Sequence, residues 1–272
     1  MSIITDAFEE GPILIPYITA GDPNEEATIE YVAALVRGGA KIIELGLPFS
    51  EPIADGPVIQ EAISRSLEAG MTPRKFFELV SKMDHGVPMV VMTYYNIVYQ
   101  YGDIPIESFV TESVRCGING MIIPDLPIEE AEVLLEICNE NEVDLIFIIA
   151  PTTREDRIEK IMEKISGFVY VQARLGTTGI HKDVSQTTHE SLERLKEYDI
   201  PKSVGFGVSN SDHAAEIIKS GAGGVIAGSV FVDIIDKGRE EGVIEQDTIL
   251  LLEEKARELV RGIGEGTGNN KS

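Results

Sequence analysis

The sequence predicts an α/β protein, a single (β/α)8 TIM barrel with extra helices and long active-site loops after strands 2 and 6. Three observations predict it. Eight short apolar runs recur at intervals that leave room for a helix. The runs are near-continuous rather than alternating, as parallel strands buried on both faces require. Amphipathic segments with helix-start residues lie between them. At 272 residues the chain suits one such domain, expected over 1–262, with 263–272 as a disordered C-terminal tail.

The strands are expected in "PILIPYIT" (12–19), "KIIELGLP" (41–48), "PMVVMTYYN" (88–96), "GMIIPDLP" (120–127), "DLIFIIAPT" (144–152), "GFVYVQAR" (167–174), "SVGFGVS" (203–209) and "GVIAGSVFV" (224–232). Helices are expected over 24–37 after "GDP", 73–83, 128–141 after Pro127, 154–165 after "PTT", 211–219 after "SN", and 246–261. The stretch 50–71 is too long for a plain connection and reads as an active-site loop plus an extra helix. The segment from Gly176 to about Thr188, rich in Gly, Thr and Ser, reads as a lid. Loops after strands lie on the catalytic face of such a barrel.

With 23 Lys+Arg against 46 Asp+Glu, the net charge of −23 repels nucleic acid and anionic membranes. The acidity has two readings, a protein working in high salt or an acidic surface that aids solubility. Cys116 and Cys138 are too few for a disulfide framework and read as buried thiols in a reducing compartment. The first residues lack a signal-peptide pattern and no apolar run approaches ~18 residues, so a cytoplasmic protein is expected.

Glu44 stands out because it shares a face with Ile42 inside a buried strand, where a charge is costly unless paired or used. Among Ile, Leu and Phe its pKa should rise, which suits a general acid/base near neutrality. Asp55, in the loop after the same strand, reaches the same mouth, although a turn or helix-capping role fits "ADGP" equally well. Gly205 and Gly207 after strand seven, Gly228 and Ser229 after strand eight, and Gly176 and Gly179 after strand six converge as a phosphate cradle. Tyr17, Tyr170 and the tyrosines of "TYYN" serve either an apolar pocket for a flat ring or the barrel core. Asp125, between two prolines, reads as a turn former.

No lysine ends a strand, where an imine-forming aldolase needs one, and the four histidines show no metal-ligand spacing. Carboxylate proton transfer on a phosphorylated, partly apolar substrate follows, without metal or cofactor.

"LIPYITAGDP" (14–23), "IELGLPFSEPIADGPVIQ" (43–60), "VVMTYYN" (90–96), "MIIPDLP" (121–127), "GTTG" (176–179), "VGFGVS" (204–209) and "GVIAGS" (224–229) together resemble the tryptophan synthase α chain family across nearly the whole barrel. The resemblance implies retro-aldol cleavage of indole-3-glycerol phosphate to indole and glyceraldehyde 3-phosphate, within tryptophan biosynthesis. It implies that Glu44 is the proton-shuttling glutamate, and that Asp55 is the carboxylate that accepts the indole N–H and stabilises the cationic indolenine. It further assigns Tyr170 to the indole site, Gly179, Gly207, Gly228 and Ser229 to the phosphate site, and Tyr17, Met92 and Phe206 to the pocket wall. Thr178 becomes the lid threonine that orients Asp55. The implied partner is a β chain, in an assembly of two α and two β chains; pyridoxal phosphate belongs to that β chain.

Two departures qualify the match. Glu51 stands where the family usually has Asp, in a loop that faces the β chain, and "IHKDVS" (180–185) replaces the usual small and basic residues after "GTTG". They leave two alternatives: a binding subunit that activates a β chain with weak catalysis of its own, or a diverged phosphosugar lyase or isomerase.

Overall fold

Every pairing in the sheet is parallel, and the sheet's two ends are consecutive pieces of one chain segment. The computed structural model describes residues 2–83, 86–173, 186–205, 207–240 and 245–268. Its strands are β1 (Ile13–Thr19), β2 (Ile43–Gly46), β3 (Met89–Met92), β4 (Ile118–Ile122), β5 (Asp144–Ile146), β6 (Ile148–Ile149), β7 (Val169–Gln172), β8 (Lys202–Gly205) and β9 (Gly224–Ala227). They are ordered β5-β4-β3-β2-β1-β9-β8-β7-β6. β5 and β6 flank Phe147 and make one stave, so the eight expected runs supply eight staves of a nearly closed barrel.

The helices are α1 (Ile3–Asp6), α2 (Glu25–Arg37), α3 (Pro57–Glu68), α4 (Pro73–Val80), α5 (Tyr95–Gln100), α6 (Glu107–Arg115), α7 (Glu132–Glu140), α8 (Glu155–Met162), α9 (Gln186–Leu195), α10 (Ser211–Lys219), α11 (Ser229–Glu240) and α12 (Glu245–Gly266). Their starts follow the sequence signals. Asn24 accepts the Ala27 N–H at 2.8 Å and Asn210 accepts the His213 N–H at 2.9 Å, each filling an orphan donor of the first turn. Pro57 and Pro73 occupy first helical positions, where a missing N–H costs nothing.

Alternation along the strands sorts two cores. Leu14, Leu45, Val91, Val171 and Val225 face outward and pack with Leu35, Phe76, Phe109 and Leu252 of the helices. Ile13, Ile15, Ile42, Val90, Ile122, Ile146, Phe168 and Ile226 fill the barrel, and Ile4 of α1 plugs its lower end. The polar exceptions inside the barrel are therefore conspicuous, because each costs desolvation.

Several boundaries differ from expectation. The run ending at Val232 divides after Ala227, and Ser229 begins α11, because its glycine turn switches the chain into a helix. Similarly, Tyr95 opens α5 rather than ending strand three. Gln186 to Thr188 belong to α9 rather than to the expected lid, whose other residues, 176–185, lie outside the described residues.

The expected tail is also corrected. α12 continues to Gly266 with Ile263 buried, and residues 269–272 lie outside the described residues. The glycines that suggested fraying are contact points: a Cβ on Gly262 would overlap the Ser211 backbone, and one on Gly266 would lie 2.7 Å from the Ala215 carbonyl. Small residues let α12 lie close against α10.

Among the described residues, no helix is long and apolar enough to cross a membrane.

Candidate active site

β2 carries Glu44 into the barrel, beside Tyr17 of β1 and Val90 of β3 in the ladder. Glu44 is 1 % exposed, and its Oε2 has no hydrogen-bond partner. Burial first, and then the charge of Asp55, push its carboxyl up to about 8. A carboxylic acid so placed holds its proton at neutral pH and can give it and take it back.

Asp55 lies half-buried in the loop between β2 and α3. The Tyr94 hydroxyl donates to its Oδ2 at 2.6 Å and accepts the Ala54 N–H at 2.9 Å. Gln60 of α3 donates to the Asp55 carbonyl at 2.8 Å, so the loop is held from both sides. Burial pushes the Asp55 carboxyl up, and the bond from Tyr94 works against that rise. In turn, burial and the bond to Asp55 hold the Tyr94 phenol well above its ordinary value, so it remains a donor.

Two tyrosines form the pocket walls because two glycines make room. Tyr17 leans over Gly46 of β2 and Tyr170 leans over Gly205 of β8; a Cβ on either glycine would overlap the tyrosine's hydroxyl. Burial drives both phenols well above their usual range, with Asp55 adding to the effect at Tyr17 and Glu44 at Tyr170. The Tyr17 hydroxyl shares a hydrogen bond with Thr19 at 3.2 Å. Gly205 thus makes room for Tyr170, and it is not among the residues that line the cavity described below.

At the far wall stands the start of α11. The N–H groups of Phe231 and Val232 are already bonded to the Gly228 carbonyl, whereas those of Ser229 and Val230 precede the helical ladder. Gly207, with φ of 77°, adds a backbone conformation that a side chain would strain. Such a helix N-terminus flanked by glycine suits an anion.

Glu44, Asp55, Tyr17, Met92, Tyr170, Gly207, Gly228 and Ser229 all line one cavity of about 80 Å³. Thr178, Gly179 and Phe206, also expected there, lie outside the described residues. The same cavity is lined by Gly56, Ile59 and Ile226, which sequence reasoning missed. For Ile226 the inward alternation of β9 was an available signal; for Tyr94 as the partner of Asp55, 39 residues away, there was none. Asp125 accepts the Tyr95 N–H at 2.9 Å and so caps α5, in keeping with the turn-forming role. Among the described residues, no three His, Cys, Asp or Glu side chains gather as a metal site.

The fold and this cavity define a (β/α)8 barrel enzyme with two carboxyl groups and a helix N-terminus lining one cavity. The model of the tryptophan synthase alpha chain family matches residues 5–261. The tryptophan synthase alpha chain of Haloferax volcanii is 56% identical over 260 residues, covering 95% of this chain and 94% of that protein. That of Methanosarcina barkeri is 52% identical over 250 residues, covering 92% and 91%. The chain belongs to the tryptophan synthase alpha chain family and is a carbon–carbon lyase that cleaves indole-3-glycerol phosphate in tryptophan biosynthesis.

Solved structures agree. Tryptophan synthase subunit alpha from Legionella pneumophila superposes with a TM-score of 0.86 at 29% identity, covering 97% of this chain and 99% of that one. A chain of the Pyrococcus furiosus tryptophan synthase α2β2 complex does so with a TM-score of 0.84 at 38% identity, covering 92% and 98%.

Proposed function

We propose that Glu44 and Asp55 together carry the cleavage, with the phosphate held at Gly207, Gly228 and Ser229. The indole ring lies against Tyr17, Met92 and Tyr170, and the family resemblance assigns Thr178, Gly179 and Phe206 to the same site. Glu44 donates its proton to indole C3, and the ring becomes a cationic indolenine. The Asp55 carboxylate accepts the indole N–H and stabilises that positive charge. The Glu44 carboxylate then takes the proton of the hydroxyl on the adjacent side-chain carbon. The C–C bond breaks, its electron pair restores the indole, and the hydroxyl carbon leaves as the aldehyde of glyceraldehyde 3-phosphate.

The observation that supports this most is the buried carboxyl of Glu44, pushed up to about 8 beside a second carboxylate in the same cavity. A group with that pKa supplies both proton transfers near neutrality without a metal.

This chain works, in the same reading, with a β chain in an assembly of two of each. The Pyrococcus furiosus complex supports it, as does Ile53, 80 % exposed in the loop that also holds Glu51. Pyridoxal phosphate then belongs to the partner, and the reaction is cytoplasmic.

The test is indole release from indole-3-glycerol phosphate by the purified chain and by Glu44→Gln, each alone and with a cognate β chain and serine. Release that the partner raises and the variant loses, by about 10³-fold or more, is expected. Release that survives in the variant would overturn the role of Glu44.

A further inference from the structure

Tyr17 walls the cavity with its ring, but a wall needs no hydroxyl, and the place of that hydroxyl is specific. Glu44 and Gly46 are two apart on β2 and so take successive inward positions. Tyr17 is the ladder partner of Glu44, and its ring leans along β2 until the hydroxyl fills the space that a side chain on Gly46 would take. The phenol oxygen therefore stands at the inward position next to Glu44. On its other side is Thr19, the ladder partner of Gly46, and the two hydroxyls share a hydrogen bond at 3.2 Å.

That bond is longer than the roughly 2.5–3.0 Å usual between hydroxyls, so it is weak and readily exchanged. Tyr17, Thr19 and Glu44 are all buried, and the Oε2 of Glu44 has no partner. A carboxylic acid tolerates this; the carboxylate left after proton transfer is a buried charge that needs a donor.

The titratable groups that face Glu44 are Tyr17 of β1, Tyr170 of β7 and Asp55 of the loop after β2, while β3 presents the apolar Val90 and Met92. Asp55 is an acceptor, and the Tyr94 hydrogen is spent on it. Tyr170 stands on a strand across the barrel from β2, whereas Tyr17 stands on the adjacent one. Burial holds the Tyr17 phenol well above its usual range, so it remains a donor.

We infer that the Tyr17 hydroxyl is a positioning group that changes partner with the state of Glu44: it bonds Thr19 while Glu44 is a carboxylic acid, and donates to the Glu44 carboxylate once that proton is on the substrate. This role rests on Glu44 as the proton donor of the cleavage. The phenol keeps its own proton throughout, and no covalent bond of Tyr17 forms or breaks. Its effect is to stabilise the carboxylate that the first transfer leaves and to hold it in place for the second.

The experiment pairs two readouts for the wild type, Tyr17→Phe, Thr19→Val and the double variant. One is infrared titration of Glu44, taken as the carboxyl signal that each protein loses in its Glu44→Gln counterpart; the other is the pH profile of indole release. Tyr17→Phe keeps the ring and removes the donor, so the titration and the alkaline limb should both move up by about one pH unit. Thr19→Val removes the competing partner, so the acid form loses a bond and both should move down, by about half a unit. Without the Tyr17 hydroxyl, Thr19→Val should change neither.

A group that acts only as a wall leaves both readouts unmoved in Tyr17→Phe, and that result overturns the proposal. So does an upward or absent shift in Thr19→Val, or a shift that persists in the double variant. Each single variant has a sign of its own, so misfolding of one leaves the other to decide. The titration needs no turnover: if it moves as expected while indole release survives Glu44→Gln, the lyase role of Glu44 falls and the change of partner stands.

Discussion

The Tyr94 hydroxyl donates to Asp55 Oδ2 at 2.6 Å while accepting the Ala54 N–H, tying the loop after β2 to the segment after β3. Tyr94→Phe removes that donor without changing ring packing against Phe49, whose centroid is 5.3 Å away. Losing a donor to the charged form raises the Asp55 pKa. The acid limb of the kcat/KM profile should therefore move to higher pH, and the rate should fall about tenfold, the value of one such hydrogen bond. An unmoved acid limb would show that Asp55 does not depend on Tyr94.

In the proposed mechanism Glu44 must hold its proton to deliver it to carbon. With its carboxyl pushed up to about 8, the protonated fraction is high at pH 7 and falls above 8. The rate of indole release should thus decline as pH rises through about 8, and stopped-flow or steady-state profiles would reveal that limb. A flat profile to pH 10 would remove Glu44 as the proton donor.

The same shift has a stability consequence. Glu44 binds its proton more tightly folded than unfolded, so between its ordinary value near 4.5 and about 8 the folded state holds more protons. Stability therefore falls as pH rises across that window. Glu44→Gln cannot ionise, so its melting temperature should match the wild type near pH 4 and exceed it progressively up to about pH 8, then run parallel. Parallel curves throughout would contradict the burial of an ionisable carboxyl there.

Gly46 is space reserved for Tyr17. Gly46→Ala places a methyl where the tyrosine hydroxyl lies, so the ring must swing toward the cavity. Overpacking of this kind costs roughly 1–3 kcal/mol. Calorimetry should register that loss, and KM for indole-3-glycerol phosphate should rise as the wall moves. Wild-type KM in this variant would mean that Tyr17 does not shape the site.

Arg65 of α3 grips Asp22, which is 1 % exposed, through Nε at 2.9 Å and Nη2 at 2.7 Å, and reaches Asp236 of α11 at 2.9 Å. Burial still pushes the Asp22 carboxyl up despite the guanidinium. The bridge is therefore a locating device between the helix that follows Asp55 and the helix that begins at Ser229, more than a net source of stability. Arg65→Met should lower kcat through misplacement and expose Asp22 as an unpaired buried charge costing about 3–5 kcal/mol in urea unfolding. Unchanged kinetics and stability together would argue against that coupling.

The eight staves were legible because buried parallel strands need uninterrupted apolar runs, and the capped helices because Asn24, Asn210 and Pro73 advertise their own backbone chemistry. Glu44 was legible as an anomaly, a charge where none should be. Helix α11 was hidden because "SVFV" reads equally well as strand, and α12 was cut short because the glycines at 262–266 signal fraying unless the facing helix is known. Composition, period and the lone carboxylate in β2 are local properties, so the sequence by itself determined the barrel, the family and the anomaly of Glu44, whereas Asp55 read equally well as a turn residue. The partnership of Tyr94 with Asp55 and the space that Gly46 and Gly205 leave for Tyr17 and Tyr170 were decided only by tertiary structure. Each depends on distance between residues far apart in the chain, and barrel closure sets that distance.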